Sequence, residues 1–197
     1  MRIIFYIKII LFSFILMSCR SQKIKEVNDE NTIFQKVVDQ FHLNDMYILK
    51  EAENKEVYRL LKNENSIFNT WEFNSFYSIS FEEAQNILND KELEIYRSQI
   101  DENFQWPNCL SSNLILKQAL ENLRDNGLKD INKRGELKFK NFATISKPIY
   151  NSNKDLALVY YGYSDVYTKS VGEAALLMFI KENGQWKYYT SLISFII

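Results

Sequence analysis

Apolar residues follow three regimes along this chain. Ile3 to Met17 is a short, nearly continuous apolar run behind a basic start, Met1-Arg2, and the polar stretch 20–30 (RSQKIKEVNDE) follows it. From Thr32 to about Arg124 the hydrophobic positions recur at helical spacing. From Leu137 onward they gather into short aromatic and aliphatic runs separated by turn residues, which is the habit of strands.

In the helical regime, Ile33, Phe34, Val37, Val38 and Phe41 form one apolar stripe, with Asn44-Asp45 as the stop. Met46–Leu49 reads as a short strand, and Lys55–Lys62 as a helix turning Val57, Leu60 and Leu61 inward. Residues 63–79 mix aromatics with Asn and Ser and read as an irregular or strand-like connection. Ser80-Phe81-Glu82-Glu83 fits a capping box, which starts a helix through Ala84, Ile87 and Leu88. Glu92–Ile100 reads as the next helix, and Trp106-Pro107 breaks the run because proline disfavours an α conformation in the residue before it. Leu114–Arg124 is expected as a further amphipathic helix, closed by Asn126-Gly127 as its C-cap.

The strand regime predicts Leu137–Ser146, Leu156–Tyr163, Ala174–Lys181 and Trp186–Phe195. Asn183-Gly184 supplies the positive φ angles of a tight hairpin. Ala174 to Ile180 is apolar at every position, so that strand should be central and covered on both faces. Helices first and an antiparallel meander last make an α+β fold, with N-terminal amphipathic helices packed on a C-terminal antiparallel sheet of about four strands.

The N-terminal run is too short for a membrane span, which needs roughly 20 predominantly apolar residues, and it contains Lys8. Leu16-Met17-Ser18-Cys19 resembles the lipobox of bacterial lipoproteins. The resemblance implies a signal peptide over 1–18, cleavage before Cys19 and lipidation of that cysteine by diacylglycerol, usually with a further acyl chain (palmitate) on the new amino terminus. Residues 19–30 would be a lipid-anchored tether, and 31–197 a single globular domain. The residues after Cys19 lack the aspartate that resembles an inner-membrane retention signal and the acidic run that resembles a surface-export signal. The expected location is the cell envelope, at the outer membrane facing the periplasm.

Three C-terminal pieces carry a second resemblance. Ile145-Ser146-Lys147-Pro148-Ile149-Tyr150, Ala157-Leu158-Val159-Tyr160-Tyr161-Gly162-Tyr163 and Glu182-Asn183-Gly184-Gln185-Trp186-Lys187 together resemble a group of uncharacterised lipoproteins of Bacteroidetes-type bacteria. They cover about a quarter of the chain. Many members of that group carry a Cys-Gly pair after the Tyr-Tyr strand, where this chain has Ser164 to Ser170 and no cysteine. The resemblance implies location and fold and no activity. The closing hairpin is also similar to the last strands of the cone-shaped NTF2-like fold.

Charge changes the picture little. Cleavage before Cys19 removes Arg2 and Lys8 and no acid, leaving 22 basic against 25 acidic groups, a net charge of −3. A nucleic-acid binder would show a basic face and a high pI, whereas here the pI is about 6.0. With Cys19 lipidated only Cys109 remains, so no internal disulfide can form and the core must carry the fold.

Candidate chemistry is sparse. His42 is the only histidine, at the end of the first helix, and reads as structural. Five glycines build no phosphate-cradling loop, and G-x-S-x-G and H-E-x-x-H are absent, which removes most weight from the enzyme classes that need them. Cys109 has no second cysteine for a redox pair and reads as a buried, inert thiol. Asn151, Asn153 and Asp155 alternate like the opening of an EF-hand, but Leu156 stands at position six and Gly162 at position twelve, so a polar turn fits better. No metal or other cofactor is expected. The acids Glu82, Glu83, Asp90, Glu92, Glu94, Asp101 and Glu102 fall at solvent-facing helical positions.

The aromatic residues of the last strands are the remaining candidates. Tyr160, Tyr161, Tyr163 and Tyr167, with Trp186, Tyr188 and Tyr189, could present a binding face, because a rigid apolar body ending in a polar group suits interfaces. The expected function is a non-enzymatic, envelope-anchored binding or interaction module. It would be held to the membrane by its N-terminal lipid and would meet an envelope protein partner rather than nucleic acid; an immunity-type protein is one version. The alternative is a small-ligand-binding or hydrolytic domain with a pocket in an NTF2-like curved sheet.

Overall fold

The computed structural model describes residues 29–62, 79–129, 137–168 and 171–195. The signal peptide expected over 1–18, Cys19 and most of the connection expected over 63–79 lie outside the described residues.

The first helix, α1, occupies 29–40. It therefore takes in Asp29 and Glu30, two residues assigned from the sequence to the tether. Ile33, Phe34, Val37 and Val38 are its buried stripe, and each such side chain contributes about 1.5–3 kcal/mol on burial. The helix stops earlier than Asn44-Asp45. His42 adopts a left-handed conformation (φ 53°) and starts a 3-10 turn, Leu43–Asp45. Strand β1 (Tyr47–Leu49) and helix α2 (Asn54–Lys62) follow, the latter burying Val57, Leu60 and Leu61.

Helices α3 (Phe81–Ile87) and α4 (Asp90–Ser98) each begin at a side-chain cap. Ser80 Oγ accepts from the Glu83 amide at 3.1 Å, and Asn89 Oδ1 from the Glu92 amide at 3.1 Å. The helix expected over Leu114–Arg124 is divided. Leu114–Ile115 forms β2, paired in parallel with β1, and α5 runs over Lys117–Lys129. Gly127 lies within α5, not at a C-cap. A Cβ there would stand 2.6 Å from the Tyr167 ring, so close packing accounts for this glycine.

The remaining strands are β3 (Asn141–Ile145), β4 (Ile149–Tyr150), β5 (Leu156–Asp165), β6 (Val171–Glu182) and β7 (Gln185–Phe195). The fold is α+β, as the pattern predicts, but the sheet has seven strands rather than about four. Its order is β2-β1-β3-β5-β6-β7, with β4 paired to β5 off this path. The expected antiparallel meander is the group β3-β5-β6-β7. β1 joins β3 in parallel, which makes the sheet mixed. The hairpin turn is as read: Asn183 and Gly184 have φ of 51° and 78°.

Strand β6 is covered on both sides. Ala174, Leu176 and Met178 face a layer formed by α2, α3 and α4. Ala175, Leu177 and Phe179 face α1, Trp106 and Trp186. A small third cluster joins Leu120 of α5 to Leu49 and Val166 at the β1–β2 end of the sheet.

The Ser146-Lys147-Pro148 segment of the lipoprotein resemblance has a structural explanation. The chain leaves β3 here, and side chains replace the ladder partners it loses. Ser146 Oγ accepts from the Tyr160 amide at 2.8 Å, and the buried Asn54 Oδ1 accepts from the Lys147 amide at 2.8 Å. Gln99 pairs with the Tyr150 backbone in both directions, at 2.6 and 2.9 Å, as a neighbouring strand would. A buried amide or carbonyl left unmade costs about 1–3 kcal/mol, which is why such substitutes are present. Among the described residues, no helix is long and apolar enough to cross a membrane.

Candidate functional site

The aromatic candidates do not share one face. Tyr160 points into the α2–α4 layer, Trp186 is sealed beneath α1 at the hairpin end of the sheet, and Tyr167 packs beside α5. Tyr189, 43% exposed, donates to Glu83 at 3.3 Å. Strand alternation separates neighbours such as Tyr160 and Tyr161, and the deep burial of Tyr160 and Trp186 makes them core residues.

Tyr161, Tyr163 and Tyr188 do come together, on the α1 face at the end of that helix. Phe41 completes the group: its ring stacks on Tyr161 at 4.4 Å and meets Tyr188 edge-on at 6.1 Å. Tyr161 and Tyr163 lie 6.3 Å apart, and Tyr188 packs against Phe179 at 5.7 Å. Tyr161 is buried; Phe41, Tyr163 and Tyr188 are half-buried.

Tyr188 is partly exposed because β7 is an edge strand of the sheet, and Phe41 and Tyr163 because α1 is short. A 12-residue helix rises about 18 Å, at 1.5 Å per residue. The ten residues of β5 extend about 33 Å, at 3.3 Å per residue. Helix α1 therefore covers only about half the strand length, and His42 ends it where the aromatic group begins. The apolar stripe predicts Phe41 in the helix core, whereas the fold brings it to this surface. The available signal was its place as the last apolar residue of the stripe.

Backbone geometry shapes the cluster. The register between β5 and β6 slips after Tyr163, leaving Gly172 as an extra residue of β6. A Cβ on Gly172 would stand 2.1 Å from the Tyr163 ring, so the glycine makes room for that ring. The hydroxyls of Tyr188 and Ser191 share a 3.0 Å hydrogen bond. Burial pushes the Tyr161 phenol well above its ordinary range, and the nearby Glu173 and Tyr163 add to this. At neutral pH the cluster thus offers ring faces and hydroxyl donors, and suits stacking more than proton transfer.

Elsewhere the candidate groups are engaged or isolated. His42 is exposed and its side chain makes no capping hydrogen bond. Cys109 is exposed, not buried as expected, because the turn after Pro107 carries it to the surface while Trp106 occupies the core. Asn151 closes its turn: it donates to Asp155 at 2.6 Å and accepts from the amides of Asp155 and Leu156 at 3.0 Å. Of the helix acids, Glu92 accepts from both the amide and the hydroxyl of Ser152. Glu53, which no sequence motif marks, has its carboxyl pKa raised by burial, opposed by Lys117. Among the described residues, no group of three or more His, Cys, Asp or Glu side chains could hold a metal.

No protein-family model matches the chain, and neither curated proteins nor solved structures give a match.

Proposed function

We propose that this protein is an envelope lipoprotein, anchored through Cys19, that acts as a non-enzymatic interaction module. Its partner-binding surface is the half-buried aromatic group of Phe41, Tyr163 and Tyr188 over Tyr161. The observation that carries the reading is this group's position: rigid rings stand at the edge of a core that α1 leaves half covered. Aromatic anchors ringed by polar atoms are typical of protein interfaces. The lipobox-like Leu16-Met17-Ser18-Cys19 supports the anchor, and the Ser-Lys-Pro and Asn-Gly-Gln-Trp-Lys pieces support kinship with the Bacteroidetes-type lipoprotein group. An immunity-type role, blocking a toxin in the periplasm, is consistent with such a surface.

The test is purification of the lipidated protein from its own cells in mild detergent, with mass spectrometry of whatever co-elutes. The expected result is one stoichiometric protein partner, lost from a folded Tyr163→Ser/Tyr188→Ser variant. A bound small molecule without a protein would instead favour a ligand-binding domain built on a curved sheet.

A further inference from the structure

The chain enters the domain at the end of α1 opposite the aromatic group, and that entry point is held in place. Lys181, near the end of β6, pairs with Asp29 at 2.7 Å, and Lys147 pairs with Glu30 at 3.4 Å. The two ammonium groups also lie over aromatic rings, Lys181 over Trp186 at 5.1 Å and Lys147 over Phe104 at 5.2 Å. Exposed ion pairs alone hold little. Here Ile33 and Phe34, fully buried one turn later, fix the helix by packing as well. The elements around this entry are the β4–β5 turn and the β6–β7 hairpin, joined by a 2.7 Å bond from the Lys181 amide to the Asp155 carbonyl.

Cys19 precedes Asp29 by ten residues, which span at most about 35 Å. A domain of this size has a radius of gyration of about 15 Å, hence a diameter near 40 Å. A tether that short does not carry the membrane around the domain. The geometry points to a fixed polarity for the anchored protein. The β4–β5 turn and the β6–β7 hairpin face the lipid headgroups, and Phe41 and Tyr163, at the other end of α1 and of the strands, face away from them. The inference rests on the Cys19 anchor proposed above. It also narrows the partner to a water-soluble protein, or the soluble part of one, standing off the membrane that holds the lipid.

Energy transfer to the bilayer tests this. In the full-length acylated protein, Cys109→Ser removes the exposed free thiol, and a donor dye is then placed on Asn183→Cys at the hairpin or on Lys140→Cys at the opposite end. The protein is reconstituted into phosphatidylethanolamine/phosphatidylglycerol vesicles carrying an acceptor-labelled headgroup, and flotation is scored in parallel with a Cys19→Ser control. The expected result is flotation that depends on Cys19, with transfer from position 183 at least about twofold above that from position 140, given the length of the strands between them. Equal or reversed transfer in floating protein overturns the polarity alone. Flotation that fails, or that persists in Cys19→Ser, overturns the anchor and the polarity with it.

Discussion

The sheet face beneath α1 carries aromatic residues at both ends of the helix, and the two groups differ in what covers them. At the chain-entry end, Trp106 and Trp186 are sealed. Trp106 meets Phe34 at 4.6 Å and Phe104 at 5.0 Å, and its indole N–H donates to the Ile145 carbonyl at 3.1 Å. At the far end, Phe41 and Tyr163 flank the buried Tyr161, with centroids 4.4 and 6.3 Å from it, and keep part of their surface in water. Both groups are built of large aromatic rings. Coverage separates them. The first group is core, and the second is half-buried surface.

Truncation should expose the difference most strongly. Trp106→Ala removes a fully buried ring and leaves the Ile145 carbonyl without its donor, so it should cost about 3–5 kcal/mol in guanidinium unfolding. Tyr163→Ala, at a half-buried site, should cost about 1–2 kcal/mol. Equal losses at the two sites would erase the distinction between them.

Alkaline titration sharpens the same contrast. Burial first, then the Glu56 and Glu53 carboxylates, pushes the Tyr160 phenol up to about 12, while Arg59 opposes them. Burial followed by Glu173 also raises Tyr161. A phenol raised in the folded state keeps a proton that the unfolded chain releases near its ordinary value of about 10. Its contribution is complete below that pH and is lost as pH climbs through the folded value. The unfolding midpoint should therefore hold steady to about pH 10 and fall toward pH 12. Tyr160→Phe and Tyr161→Phe should each flatten that fall. Tyr189→Phe should not, since its phenol is exposed and is raised chiefly by the Glu83 charge.

The smallest expected effect is a gain. His42 sits in the left-handed region, which costs a side chain with a Cβ about 1–2 kcal/mol at most. His42→Gly should raise stability by up to about 1 kcal/mol in the same unfolding experiment. A loss would mean that the imidazole contributes to the fold.

Local chemistry was legible from the sequence wherever it acts within a few residues. The Ser80 cap, the Asn183-Gly184 turn, the α1 stripe and the unalternating β6 all follow from side chains acting on their own backbone or from simple periodicity. Those signals sufficed for the α+β class and for the four-strand antiparallel group. The other strands were not legible, because two- and three-residue strands such as β1, β2 and β4 carry no period. They exist through distant partners: Leu114 through Ile48, Tyr150 through Ala157 and Gln99. Gly127 read as a helix stop because an Asn-Gly pair usually is one, and only the arrival of Tyr167 shows what the glycine accommodates.

The candidate surface divides in the same way. The sequence determined that aromatic residues concentrate in the last strands, since composition and strand propensity are properties of single positions. Which of them are core and which are surface was decided by the tertiary structure. That choice depends on how far α1 reaches along the strands, and a helix advances less than half as far per residue as a strand does.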